Sequence, residues 1–125
     1  MAERGSEDVR RWCTLGPVAV SRLAYPEARS AFARRCREQE LSPHDLRRVV
    51  DALHADLGAL AIVEIDGPLA RIAGELAEAH ALRGIDALHL ASAARLQDHL
   101  GSAVRFGCFD RRLERAAIAI GLGTP

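Results

Sequence analysis

Residues 83–97 read RGIDALHLASAARLQ, and this segment carries the clearest information about the fold. Its apolar side chains recur at intervals of three and four residues, which predicts a helix with one face against a core. The side chains predicted to be buried are those of Ile85, Leu88, Ala91, Ala94 and Leu96. An acidic residue, Asp86, stands at the apolar start of this helix. A charge beside a core needs a physical reason, which is either interaction with the helix dipole or a functional site.

Helical segments alternate with short apolar runs on both sides of residues 83–97, and this alternation predicts an α/β layer fold. The apolar runs predicted to be strands are residues 16–21, 60–66 and 102–109. The predicted helices are residues 6–14, 24–38, 42–57, 67–80, 83–97 and 110–120. The helix at 42–57 has the strongest start signal, because Ser42 is a favourable N-cap and Pro43 suits the first helical position. Its predicted inward face consists of Leu46, Val49, Val50, Leu53 and Leu57.

The charge balance of the chain argues against a global attraction to nucleic acid or to anionic membranes. Its 125 residues include 17 basic and 17 acidic residues, so the formal net charge at pH 7 is +0. Any binding of phosphate groups must therefore depend on a local cluster of basic residues. A hydrophobic fraction of 49% fits one compact domain, and we expect it to span residues 1–125.

The cysteine content and the apolar runs indicate the compartment. Cys13, Cys36 and Cys108 are odd in number and widely separated, which favours neither a disulfide framework nor a zinc site. The first residues are charged, unlike a signal peptide, and no apolar run approaches the roughly 18 residues of a membrane span. We therefore expect a cytoplasmic protein that does not enter the membrane.

Three acidic residues lie close to the predicted strand ends. Glu27 is in the first turn of the helix after the first strand, Asp86 begins the helix before the third strand, and Asp110 follows the third strand directly. Helix starts and strand ends share one edge of a parallel sheet with right-handed crossovers, so we expect these carboxylates to converge. Oxygen-only ligands suit Mg²⁺ or Mn²⁺. The pattern is thus compatible with a divalent metal site.

Each of these acids, taken alone, also has a simpler interpretation. A carboxylate at a helix start is stabilising by about 0.3–1 kcal/mol through the macrodipole and can cap free N–H groups. We expect Asp45 and Asp66 to have only that role. Position alone leaves both interpretations open for Glu27, Asp86 and Asp110.

Three longer segments carry a family resemblance: VAVSRLAYPEARSAFAR, LRGIDALHLASAARL and FGCFDRRLERAAIAIGL. In this order and spacing they closely resemble the three later motifs of PIN-domain ribonucleases, in particular the VapC-type toxins of bacterial toxin–antitoxin pairs. The resemblance runs from about Gly5 to Leu122. It implies a PIN-like three-layer α/β/α fold with a central parallel sheet, and metal-dependent hydrolysis of RNA. It also implies a cognate antitoxin and a homodimer. By motif position, Glu27, Asp86 and Asp110 match three of the four acids that bind Mg²⁺ or Mn²⁺ in that family.

The sequence departs from the family pattern in three places. Family members normally have a further apolar strand ending in Asp just upstream of a segment like ERGSEDVRRW, and Met1 begins after that point. The final GLGTP stops about where a last edge strand would begin. Cys108 replaces the usual Thr or Ser two residues before the last acid. We expect an N-terminally incomplete PIN-like domain with feeble or absent activity, and favour a misplaced gene start over a genuine remnant.

Other polar residues leave alternatives open. His89 either faces the same site as Asp86 or is a hydrogen-bonded residue at the core edge, and Ser21 either supports a carboxylate or terminates a strand. The basic residues next to the acidic motifs are candidates for RNA phosphate binding or are solvated helix ends: Arg22, Arg83, Arg111 and Arg112. The alternative to a ribonuclease is a non-catalytic interaction module that binds an antitoxin partner or itself.

Overall fold

Six helices and two short strands follow one another in the computed structural model, which describes residues 2–125. The helices are α1 (Ala2–Cys13), α2 (Ala24–Arg37), α3 (Pro43–Leu57), α4 (Gly67–His80), α5 (Gly84–Leu100) and α6 (Arg111–Ala119). The strands are β1 (Ala19–Ser21), between α1 and α2, and β2 (Ala61–Val63), between α3 and α4. All six predicted helices are confirmed, although α1 begins earlier and α5 ends later than predicted. In the described part of the chain, no helix combines the length and the apolar character needed to cross a membrane.

The two strands form a parallel pair, which confirms the predicted α/β character of the fold. Ala19 lies opposite Ala61, Val20 opposite Ile62, and Ser21 opposite Val63. Helices α2 and α3 make the crossover between the strands, and α5 packs against β1. Both strands are three residues long and therefore shorter than the predicted runs at 16–21 and 60–66.

The predicted third strand at 102–109 is wrong, so the central parallel sheet has two strands in the described part of the chain. This segment forms only an isolated parallel bridge between Arg105 and Gly123. The Phe106 N–H donates to the Gly123 carbonyl at 2.8 Å, and the Gly123 N–H donates to the Val104 carbonyl at 2.9 Å. The side chain of Gln97 accepts from the Val104 N–H at 2.9 Å. A strand needs a partner along its length, and here the partners are one residue, Gly123, and one side chain, that of Gln97.

Helix α5 is the centre of the core, because buried residues on it contact helices on two sides. One buried cluster joins α5 to α4 and consists of Leu69, Ala73, Ala87 and Ala91. The second joins α5 to α6 and consists of Leu90, Leu113, Ala116, Ala117 and Leu122. The prediction that Ile85 is buried is wrong, since it is 37% exposed. The buried arc of α5 is instead centred on Ala87, Leu90, Ala91 and Ser92, where α4 and α6 approach the helix.

The N-cap predicted for α3 is confirmed. The Asp45 N–H donates to the Ser42 hydroxyl at 3.0 Å, and the Ser42 N–H donates back to the Asp45 carboxylate at 3.4 Å. Hydrogen bonds with Ser42 lower the pKa of Asp45. The predicted inward face of α3 is its less exposed face, but no residue of α3 is buried. Its neighbour is α2, where the Tyr25 ring stacks on His54 with 5.6 Å between the ring centroids.

Helix α1 contacts the segment that leads to Asp110. The Trp12 ring stacks on Phe109 with the centroids 5.2 Å apart. Gly107 permits this approach, because a Cβ atom at that position would lie 2.6 Å from the Trp12 ring. A side chain at residue 107 would therefore push α1 away from the loop before α6.

Asp66 connects the start of α4 to α5. Its carboxylate caps α4 by accepting the Leu69 N–H at 2.9 Å, as predicted from the sequence. The Arg95 guanidinium on α5 donates to both carboxylate oxygens, at 2.8 and 2.9 Å. The hydrogen bonds from Arg95 and then from Leu69 lower the pKa of Asp66 below its ordinary value of 3.8.

Acid should weaken this connection. The pKa of Asp66 is lower in the folded state than its ordinary value of 3.8. The ionised carboxylate therefore stabilises the fold fully above pH 3.8, and this stabilisation is lost as the pH falls through the folded-state pKa. We expect Asp66→Asn to lower the free energy of unfolding near neutral pH, and the deficit to shrink at about pH 3. Urea denaturation at the two pH values measures this difference. Asp98→Asn, on the exposed end of α5, is the matched control. If Asp66→Asn loses the same free energy of unfolding at both pH values, the prediction is contradicted.

Candidate functional site

Asp86 lies in the first turn of α5. Its side chain is only 18% exposed, and it accepts a hydrogen bond from the Arg83 Nε at 2.9 Å. The α5 N-cap position is Arg83, which offers no side-chain acceptor to the first N–H groups of the helix. The carboxylate therefore lies in the favourable field of a helix start, with a single exposed guanidinium as its hydrogen-bond partner among the described residues.

Asp110 is the N-cap of α6, so part of its predicted structural role is confirmed. One carboxylate oxygen accepts the Leu113 N–H at 2.9 Å. The cluster around Leu90 and Leu113 packs α6 onto α5, and this packing brings Asp110 towards Asp86. The two aspartates line one open cleft of about 410 Å³. Two of the three carboxylates that were predicted to converge thus line the same cleft.

Glu27 lies at the margin of this region. It is in the first turn of α2, and its carboxylate makes a short contact with Nε2 of His89 on α5. The Glu27 side chain is 40% exposed and that of His89 is 26% exposed. Glu27 is not among the residues that line the cleft. His89 is therefore a half-buried, hydrogen-bonded residue beside Glu27, and it is not among the residues that line the cleft of Asp86 and Asp110.

The charges of all three predicted acids influence the guanidinium of Arg83. Its pKa is raised mainly by the hydrogen bond and charge of Asp86, and further by the charges of Asp110 and Glu27. All three predicted carboxylates therefore act on one cation. In the part of the chain whose side chains the structure describes, no three His, Cys, Asp or Glu side chains are close enough to hold one metal ion together. The acids share a region without forming a closed set of ligands, and their role as ligands stays a prediction.

The thiol of Cys108 lies beside the same acids. It donates weakly to the Asp110 carbonyl, with sulfur and oxygen 3.6 Å apart. Partial burial raises the pKa of Cys108 most, and the charges of Glu114, Asp110 and Asp86 raise it further. The residue is consequently a neutral thiol near neutral pH. Ser21 has a structural role, because its hydroxyl accepts the Leu23 N–H at 3.2 Å in the turn after β1.

Four arginines line the cleft together with Asp86 and Asp110: Arg83, Arg111, Arg112 and Arg115. Sequence reasoning missed Arg115, although it stands one helical turn after Arg111 and that spacing was the available signal. It also missed Glu114, an acid in the first turn of α6 whose charge helps to raise the pKa of Cys108. Arg22 was also a candidate for phosphate binding, but it does not line this cleft. It lies after the end of β1 and pairs with Glu64, which follows β2.

Comparisons with known proteins agree with this architecture. Residues 2–119 match the PIN domain family. Two similar proteins are Ribonuclease VapC45 and Ribonuclease VapC49, from two strains of Mycobacterium tuberculosis. Each is 41% identical to this chain over 110 residues, which cover 88% of this chain and 74% of the relative. The family match covers most of the residues from α1 to α6, and the chain therefore belongs to the PIN domain family.

Proposed function

We propose that this protein is a metal-dependent endoribonuclease of the VapC toxin type, which hydrolyses phosphodiester bonds of RNA. The observation that carries the proposal is the cleft in which Asp86 and Asp110 lie together among four arginines. Similarity to two proteins named ribonucleases supports the choice of RNA as substrate. The arginines of the cleft attract phosphate groups, and the two carboxylates are available to hold a divalent cation beside them.

The acids in the cleft fit a divalent cation by their chemistry. Mg²⁺ commonly binds to one or two carboxylates, with waters and substrate phosphate oxygens completing its coordination. Asp86 and Asp110 would hold Mg²⁺ or Mn²⁺, and Glu27 would be the third acid of the site. When bound, such an ion lowers the pKa of a coordinated water and stabilises negative charge on the phosphate.

The residues of this chain prepare the cleft for that role. Arg83 balances the charge of Asp86, and its side chain is 78% exposed, so that it can turn away without disturbing the core. His89 holds the Glu27 carboxylate on the α5 side of α2. The Leu113 N–H uses one oxygen of Asp110, which fixes the direction of that carboxylate. Orientation of these groups by α2, α5 and α6 is the contribution of the fold.

We further propose the cellular setting that the family resemblance implies. Residues 1–125 would form a single PIN-like domain, which acts in the cytoplasm as a homodimer and is opposed by a cognate antitoxin protein. The non-catalytic interaction module remains a distinct alternative, because it would bind a partner without any use for a metal ion.

RNA cleavage with and without metal tests the proposal. We expect weak internal cleavage of a single-stranded RNA in the presence of Mn²⁺, and we expect it to stop when EDTA is added. A thermal melt provides a second measurement, because a ligand that binds only the folded state raises the unfolding midpoint. At a ligand concentration of about 100 times the Kd, the free energy of unfolding increases by about 2.7 kcal/mol. Cleavage that continues in EDTA would contradict the metal site. A midpoint unaffected by several millimolar Mn²⁺, in a protein that cuts no RNA, would favour the interaction module.

A further inference from the structure

Arginines outnumber acids along the wall of the cleft, although the whole chain has a formal net charge of +0. Four guanidinium groups share the cleft with the carboxylates of Asp86 and Asp110, so positive charges exceed negative ones at its wall. Some arginines outside the cleft are paired with acids, as Arg22 is with Glu64 and Arg95 is with Asp66. The cleft is therefore a local cluster of the kind that a neutral protein needs in order to bind phosphate groups.

The four arginines of the cleft differ in what holds them. Arg83 donates to Asp86, and Arg112 donates to the Ala81 carbonyl at 3.2 Å, which fixes it to the loop between α4 and α5. Among residues 5–125, whose side chains the structure describes, no hydrogen bond or ion pair involves the guanidinium group of Arg111 or Arg115. They are four residues apart on α6, so their side chains emerge from the same face one turn apart. Two adjacent guanidinium groups are thus available to an external anion.

We propose that Arg111 and Arg115 bind consecutive backbone phosphates of single-stranded RNA and so position the strand across Asp86 and Asp110. This inference rests on the proposed ribonuclease function. A planar guanidinium donates two parallel hydrogen bonds to a phosphate, which makes arginine well suited to this contact. The residues that line the cleft include no aromatic side chain on which a base would stack. The RNA is therefore held by its backbone, and its affinity depends strongly on salt and weakly on base sequence.

An acidic peptide is the other class of ligand that arginines attract. It is disfavoured here because Asp86 and Asp110 lie in the same cleft and repel carboxylates at short range. RNA phosphates would meet the same repulsion, but the divalent ion of the proposed site binds phosphate oxygens and removes it.

Binding measurements in EDTA test the proposal independently of cleavage. Fluorescence anisotropy with labelled uridine and adenosine oligonucleotides gives the affinity of the wild type, Arg115→Gln, the Arg111→Gln/Arg115→Gln pair and Arg71→Gln over a range of salt concentrations. Arg71 is an exposed residue of α4 outside the cleft and serves as the matched control. Thermal melts verify that each variant is folded.

We expect Arg115→Gln to weaken the binding of both oligonucleotides about equally. The slope of log K against log salt concentration should become smaller in magnitude by about 0.7, the value for one phosphate contact on a single strand. In the double variant the magnitude of this slope should decrease by about twice as much. Arg71→Gln should have the same RNA affinity and the same slope as the wild type. The proposal is overturned if Arg115→Gln binds RNA as the wild type does, or if Arg71→Gln loses as much affinity. It is also overturned if an oligoglutamate peptide binds more tightly than RNA when Mg²⁺ replaces EDTA. Loss of binding in the cleft variants together with absence of cleavage by the wild type in Mn²⁺ would support this inference and refute the nuclease.

Discussion

Asp86→Asn is expected to lower Mn²⁺-dependent RNA cleavage by at least about 100-fold, because it removes the less exposed of the two carboxylates in the cleft. The amide has nearly the same shape as the carboxylate, so the packing around the start of α5 should be kept. What changes is the charge that would hold a divalent ion beside the phosphate. Single-turnover cleavage at high protein concentration measures the loss, and the rise of the melting midpoint with Mn²⁺ should be lost as well.

The control for this change is Asp98→Asn, which neutralises an exposed acid at the other end of the same helix. It should leave both cleavage and the Mn²⁺ effect on melting unchanged. The melting midpoint of Asp86→Asn without metal should fall only slightly, because the helix-start interaction contributes about 0.3–1 kcal/mol. Cleavage by Asp86→Asn at the wild-type rate would show that Asp86 holds no catalytic ion.

Leu90→Ala is expected to reduce the free energy of unfolding by about 2–5 kcal/mol, the largest stability effect that we predict. Leu90 is completely buried and packs in the cluster that includes Leu113 and Leu122. The substitution removes apolar contacts and leaves a cavity between α5 and α6. Because this cluster also holds Asp110 near Asp86, the stabilisation by Mn²⁺ should decrease in the same variant.

Urea denaturation measures the loss, and an unchanged m-value shows that the extent of unfolding is the same. Leu100→Ala is the matched control, since Leu100 belongs to α5 as well but is 57% exposed. Its effect should stay within about 0.5 kcal/mol. If the two variants lose equal stability, the packing of α6 onto α5 does not depend on Leu90.

Local signals in the sequence predicted the helices well. The capping residues Ser42 and Asp66 mark the starts of α3 and α4 in the structure, because the hydrogen bonds that they accept come from N–H groups three residues later. Periodicity also predicted the less exposed face of α3. It failed at Ile85, because α4 and α6 contact α5 on the arc that contains Ala87 and Leu90, and this arc does not include Ile85.

Strand pairing could not be predicted to the same degree. Residues 102–109 have the apolar composition of a buried strand, yet they pair only around Arg105 and Gly123. Composition indicates that a segment is suited to a sheet, whereas a strand also needs hydrogen-bond partners from distant parts of the chain. Gln97, which takes the place of a strand partner for Val104, has no signal in its own neighbourhood of the sequence.

The sequence by itself determined the helices, their caps and the positions of Glu27, Asp86 and Asp110 at helix starts, because these depend on residues within one or two turns. Only the tertiary structure decided which charges meet. It placed Asp86 and Asp110 in one cleft, joined Glu27 to His89, added Arg115 to the cleft wall and paired Arg22 with Glu64 instead. These contacts arise where α5 packs against α6 and β1, and the energy of that packing comes from burial of side chains that carry no charge.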